Sequence, residues 1–163
     1  MGHLDEATAL QDRYAPKNRC FGCGPANRQG LRIKSFVKVD AQGGYLVVAD
    51  FQPEPHHLAF DGIVNGGILG AILDCHSNWT AAHRLMTDDM LDTPPCTVTS
   101  EFHVKLKRPT PMAALLHLEA HAVEVDGDRA IVDATVTAEG KVTATCRGTF
   151  VAVREGHPAY HRW

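Results

Sequence analysis

Asn65, Gly66, Gly67 and Asp74 are the residues whose types and spacing most plainly promise chemistry. They lie in residues 60–84, FDGIVNGGILGAILDCHSNWTAAHR, which read as a loop ending in Asn-Gly-Gly and then one long helix. Asn is a favoured N-cap because its side-chain oxygen accepts from the unpaired N–H groups of the first turn. The glycines leave those groups open to close approach. Gly66 is thus a candidate donor to an oxyanion, and Gly67 a candidate substrate contact. Asp74 adds a carboxylate that can act as nucleophile or general base. An electropositive helix end together with an acid provides the parts of an acyl-transfer site.

The helix itself constrains how these parts can work. At 100° per residue, Ile68, Ile72, Cys75, Trp79, Ala82 and Met86 form an apolar stripe expected to pack on a sheet. Asp74 lies off that stripe, with Asn78 one turn on and small residues Gly70, Ala71 and Ala81 around it. A bland alternative is an Asp that faces solvent or caps a loop, as most helical Asp residues do. Gly66 and Asp74 are separated by about 12 Å along the axis, whereas a donor and a nucleophile must each come within about 3 Å of one carbonyl. Either the acid or the donor must therefore come from another element.

Other polar residues are weaker candidates. His57, beside His56, could contact substrate, although a solvated loop histidine is the simpler reading. Lys107 and Arg108 end a strand, where they could meet phosphates or be an ordinary solvated strand end. Lys17, Arg19, Arg28 and Arg32 form a second basic group with the same ambiguity. Cys20-x-x-Cys23 could be half of a zinc site or a redox pair, but no second Cys/His pair follows at a suitable spacing and the βαβ context of a thioredoxin-like pair is missing, so a reduced, turn-forming pair without metal is expected. Cys75 is read as pointing into the apolar stripe, with His76 and His83 as partly buried structural histidines.

The elements that must position these groups are legible from periodicity. A short helix is expected within residues 4–14, and a strand over 31–39, where Leu31, Ile33, Ser35, Val37 and Val39 alternate with Arg32, Lys34, Phe36 and Lys38. Gly43-Gly44 turns the chain into a strand that Pro53 and Pro55 stop. The helix is expected over residues 66–86. In residues 97–107, Val98, Phe102, Val104 and Leu106 alternate with polar residues as a half-buried strand. Asp126-Gly127 and Glu139-Gly140 read as hairpin turns between strands at 115–125, 130–138 and 141–153. Strands, one helix, then a meander give an α+β class, with an antiparallel sheet curled around the central helix. Residues 1–30 are expected to pack as a helix and Cys-containing loop on a domain spanning 31–163.

Composition excludes little but points one way. A net charge of −3 gives no nucleic-acid or membrane-surface partner, and five cysteines fit no complete disulfide framework. No apolar run is long enough to span a bilayer. A cytoplasmic location is the expectation that follows from the reduced cysteines and the lack of a signal-like N-terminus.

Asn65-Gly66-Gly67 with an acid nine positions after the Asn resembles the His-Gly-Gly…Asp pattern of hotdog-fold acyl-CoA thioesterases of the phenylacetate-degradation type. Residues 97–109, TVTSEFHVKLKRP, and residues 20–31, CFGCGPANRQGL, are similar to segments of the same group, in the same order. The resemblance implies a hotdog fold and hydrolysis of an acyl-CoA to an acid and free CoA, with coenzyme A as part of the substrate and no cofactor. It also implies a homodimer in which each site takes the glycine N–H from one subunit and the acid from the other, with dimers able to pair further into tetramers. Asn78 falls where such proteins often hold a water. Asn65 departs from the pattern, since it can hydrogen-bond but cannot titrate near neutrality. Ala59 departs too, standing where an Asn or Gln often precedes the motif. A hotdog dehydratase or hydratase, and a non-catalytic acyl-CoA-binding module, are the rival readings.

Overall fold

The structure is a computed structural model and describes residues 6–163. Helix α1 (Leu10–Tyr14) is followed by strands β1 (Phe36–Val39) and β2 (Tyr45–Phe51). A 3-10 turn (Pro55–His57) and the small strands β3 (Leu58–Phe60) and β4 (Ile63–Val64) lead into the long helix α2 (Gly66–Asp88). Strands β5 (Thr97–Leu106), β6 (Leu116–Asp126), β7 (Arg129–Ala138) and β8 (Lys141–Ala152) complete the chain. The main sheet has the order β1-β2-β6-β7-β8-β5, with every neighbouring pair antiparallel. It is the sheet-on-helix α+β architecture expected from the sequence.

Helix α2 lies against the sheet's inner face. Alternation along β7 turns Ala130, Val132, Ala134, Val136 and Ala138 inward, each essentially inaccessible to water. The three alanines leave room for the helix to approach, while Leu116 and Leu118 of β6 and Phe150 of β8 fill in around it. Glu139 (φ 50) and Gly140 (φ 73) supply the two left-handed residues of the tight β7–β8 turn. The β6–β7 turn sits one residue later than expected, on Gly127-Asp128, because Asp126 is still paired with Arg129.

The inward stripe of α2 is rotated from the one read off the helical wheel. Leu69, Ile72, Leu73, His76, Thr80 and His83 face the core, and every residue from 76 to 83 is buried. The wheel ranked His76 as a flank because imidazole is polar, but its polarity is satisfied inside. His76 Nε2 donates to the Val47 carbonyl (3.1 Å), so Nδ1 accepts from Ser35 Oγ (2.8 Å). Ser35 Oγ accepts from Gln11 Nε2 (2.9 Å), and Gln11 Oε1 accepts from the Ser35 N–H (2.8 Å). This relay ties α1, the approach to β1, α2 and β2 into one unit.

Two expected elements are shorter than predicted. Of the helix over residues 4–14, residues 4 and 5 lie outside the described residues and α1 begins only at Leu10. Its N–H donates to the Ser35 carbonyl (2.8 Å) in place of a side-chain cap. Residues 31–37 alternate in burial as predicted, yet the ladder starts only at Phe36. Before it, the Leu31 and Ile33 N–H groups donate to the carbonyls of Phe21 and Gly22, so the Cys-containing loop takes the place of a neighbouring strand.

Strand β5 corrects the expectation of a continuous half-buried alternation. Thr99 pairs with Phe150 and Glu101 with Thr149, leaving Ser100 as a bulge. Partners across a ladder share a face, so Thr97 and Thr99 point toward α2 before the bulge, whereas Phe102, Val104 and Leu106 do so after it. Val98 therefore faces away from them. β5 is also a sheet edge, and Phe102 and Leu106 are 44% and 58% exposed over the first turns of α2.

Burial pushes the His83 imidazole down to about 4, with the Arg13 charge acting the same way; the ring meets Tyr45 edge-on. An unfolded histidine titrates near 6.5, so between these values the unfolded chain binds a proton that the folded one refuses. The stability present above about 6.5 is lost as pH falls toward about 4. His83→Leu should therefore lose less stability than the parent between pH 7.5 and pH 5, measured as the shift in urea midpoint. Equal shifts in the two proteins would refute the assignment.

Candidate active site

Asn65 caps α2 as its type and position predict, its Oδ1 accepting from the Gly67 N–H at 2.8 Å. That bond consumes the Gly67 N–H and corrects the expectation that Gly67 meets substrate through it. The Gly66 N–H has no partner among the described residues and stands at the positive end of the helix dipole. A Cβ on Gly66 would come within 2.9 Å of the end of the Leu106 side chain, so the lip over this donor is apolar. Lys107 and Arg108 follow Leu106 directly, both exposed, with their N–H groups on the Thr143 carbonyl. The predicted basic residues thus stand near the predicted donor.

His57 sits elsewhere in function. Its ring is buried against Phe51, its Nδ1 accepts from the Glu54 N–H (3.0 Å), and its carbonyl accepts from the Asn65 N–H (2.8 Å). These bonds make His57 the residue that sets the entry into α2, in place of the substrate contact expected of it. Burial also lowers its basicity, assisted by neighbouring His56.

Asp74 occupies a separate cleft of about 70 Å³, lined also by Asn18, Cys20, Cys23, Asn78, Thr99 and Arg162. Thr99 Oγ1 donates to Asp74 Oδ1 at 2.7 Å, fixing the carboxylate's orientation. Burial lifts the Asp74 carboxyl above its ordinary range; the Thr99 bond opposes this, negative charge on Cys20 adds to it, and the Arg162 charge opposes it. Asn78 is bonded at both ends to Thr97, its Nδ2 donating to the carbonyl (3.3 Å) and its Oδ1 accepting from Oγ1 (2.6 Å). It lines the cleft next to Asp74 while holding the start of β5.

Thr99 and Arg162 are the site residues that sequence reasoning missed. Thr99 faces Asp74 only because of the bulge at Ser100, which alternation cannot reveal. Arg162 reaches Thr97 O with Nη2 (2.6 Å) because Trp163 stacks on Trp79 (centroids 4.7 Å apart, planes 27°). Cys75 was also misplaced by the wheel. Its sulfur lies 3.7 Å from that of Cys20, and the sulfurs of Cys20, Cys23 and Cys75 all fall within 4.8 Å of one another.

A cleft of about 70 Å³ holds roughly two waters, far below the several hundred Å³ of a typical small-molecule site. A wider concavity, about 850 Å³, lies among Glu101, His103, Asp133 and Arg147, and neither Asp74 nor Gly66 lines it. In one copy of the chain the acid and the donor are therefore apart, and the small cleft at Asp74 is not lined by Gly66.

No family model and no curated protein matches the chain. Among solved structures it is similar to a thioesterase superfamily protein from Shewanella loihica PV-4, at 25% identity and a TM-score of 0.63, over 80% of this chain and 98% of that one. It is similar to the PaaI protein of the Escherichia coli phenylacetic acid degradation operon, at 15% identity and a TM-score of 0.58, over 67% and 73% of the two chains. A thioesterase from Thermus thermophilus, complexed with coenzyme A and Zn, aligns at 17% identity with a TM-score of 0.55, over 69% and 83%. The chain has the hotdog fold of thioesterase-superfamily proteins, as the resemblance in its sequence implied.

Proposed function

We propose that this protein is an acyl-CoA thioesterase that works as a homodimer, with the Asp74 carboxylate as general base or nucleophile and the Gly66 N–H as oxyanion donor. The observation that carries the reading is the pairing of a half-buried carboxylate, oriented by Thr99, with an unpaired N–H at the start of the same helix. The two are about 12 Å apart along the axis, so one thioester can meet both only across two copies. The exposed β5 edge, with Phe102 and Leu106 uncovered over the first turns of α2, supports pairing there. Thioesterase-superfamily structural relatives support the same reaction class.

In this reading the acyl carbonyl sits between the Gly66 N–H of one copy and Asp74 of the other. Asp74 takes a proton from water as it attacks, or attacks the carbonyl itself to give an anhydride that water then opens. The negative charge that develops on the carbonyl oxygen is held by the Gly66 N–H and the helix dipole. The C–S bond breaks, and CoA leaves as a thiolate that acquires a proton. Asn65 keeps the donor in place by capping the helix, and Asn78 secures the cleft wall through Thr97. In this reading the exposed Lys107 and Arg108 would meet CoA phosphates. This hydrolysis needs no cofactor. Asn65 lacks the titratable imidazole that a hotdog dehydratase would use, which sets hydration chemistry behind hydrolysis.

Assay of short, medium, long and aromatic acyl-CoAs should show release of free thiol, and Asp74→Asn should lower that rate by about 100- to 10,000-fold while binding changes little. Change in enoyl absorbance without thiol release would instead mark a hydratase, and binding with neither a non-catalytic module. Near-parental turnover in Asp74→Asn would remove Asp74 from its role.

Subunit sharing gives a sharper test. Gly66→Pro removes the donor N–H yet suits the first helical position, and the displaced Leu106 tip has exposed space to move into. Turnover should fall about 100- to 1,000-fold. Heterodimers of Gly66→Pro with Asp74→Asn hold one site with neither defect, so activity should return toward half that of the parent. Isolated heterodimers as inactive as both homodimers would sink the shared site.

A further inference from the structure

The Cys-containing loop and the middle of α2 bring three sulfurs to one point, using residues 52 positions apart in sequence and more. Tetrahedral zinc with thiolate ligands at about 2.3 Å sets neighbouring sulfurs about 3.8 Å apart. The Cys20–Cys75 separation is 3.7 Å, and Cys23 lies within 4.8 Å of both. A disulfide would satisfy two of the three and strand the last, whereas a cation uses all three.

The surroundings are built for this convergence. A Cβ on Gly22 would lie 2.3 Å from Cys75 Sγ, and one on Gly24 would lie 2.4 Å from the Cys20 nitrogen. Only glycines let the loop wrap this closely around the sulfurs. One sulfur also receives a donor. Trp79 Nε1 donates to Cys23 Sγ at 3.4 Å. Hydrogen bonds of this kind orient and stabilise thiolate ligands. The cleft beside Asp74 opens onto the cluster.

We propose that Cys20, Cys23 and Cys75 form a thiolate site for Zn²⁺, with the fourth position open to water from the cleft. The sequence hides it because the third ligand is neither a second CxxC nor near the first in the chain. Soft sulfur ligands select zinc over magnesium or calcium. The cation ties the loop between α1 and β1 to α2 at the residue next to Asp74, and so fixes one wall of that cleft. The proposal is independent of the hydrolytic reading, and its test does not use activity.

Protein purified under reducing conditions from zinc-supplemented cells should contain about one zinc per chain. Metal-free protein titrated with Co²⁺ should develop sulfur-to-cobalt charge transfer and the intense visible bands of tetrahedral cobalt, and Zn²⁺ should abolish both. Cys75→Ser should reduce zinc content at least about tenfold, whereas Cys96→Ser, outside the cluster, should leave it unchanged. A measurement on the unmodified chain guards against variants that fail to fold. Bound zinc should protect Cys20, Cys23 and Cys75 from iodoacetamide, and a strong chelator should remove that protection and lower the melting temperature. Negligible zinc uptake, octahedral cobalt spectra, zinc retained by folded Cys75→Ser, or a disulfide among the three residues in the purified protein would each overturn the proposal.

Discussion

An α-helix advances 1.5 Å per residue whatever its sequence, and it does not bend enough to bring its first turn to its third. Gly66 and Asp74 share one such helix, so the free N–H at its start and the carboxylate in its middle serve different places in space. The remaining structure is arranged around that separation. The 3-10 turn and His57 fix where α2 begins, Thr99 and Asn78 fix what surrounds Asp74, and β5 runs alongside to connect the two ends. β5 lies at the sheet edge, and Phe102 and Leu106 are uncovered over the first turns of α2.

The bulge in β5 reconciles two demands on a single strand. Near its start the strand must present hydroxyls to the helix: Thr97 to Asn78, and Thr99 to Asp74. Near its end it must present apolar groups, Val104 and Leu106, over the first turns of α2. Strict alternation puts residues 97, 99, 101 and 103 on one face, which would aim Glu101 and His103 at the helix. One extra residue at Ser100 changes the parity. Glu101 and His103 then face away, and the charged residues of the far face line up with Arg147 and Asp133 across the ladder.

The segment before β1 acts as part of the core. The relay from Gln11 through Ser35 and His76 to the Val47 carbonyl satisfies a fully buried imidazole. Removing any member would leave a buried polar atom unpaired, at a cost of about 1–3 kcal/mol. A few residues on, the Cys-containing loop takes over the backbone pairing of residues 31 and 33 and packs its sulfurs against Cys75. Two anchors thus hold this segment on α2, at the adjacent residues Cys75 and His76 that follow Asp74.

Local pattern by itself determined the long helix and most of the strands, but not the 3-10 turn or the small strands β3 and β4. The long helix and its Asn65 cap, the strand after Gly43-Gly44 and the three-stranded meander follow from periodicity and turn chemistry, which act over a few residues. The resemblance of Asn65-Gly66-Gly67…Asp74 then carried the hotdog fold. Tertiary structure alone decided which way several side chains face. Helical periodicity made His76 a flank and Cys75 a core residue, because a wheel ranks residues by polarity and cannot see that Ser35 and Val47 will satisfy an imidazole. Alternation put Val98 with Phe102, since a one-residue bulge leaves no mark in composition. Arg162 near Asp74, and Cys75 with Cys20 and Cys23, join residues more than fifty positions apart, and such meetings depend on how the packed elements close on one another rather than on any local rule.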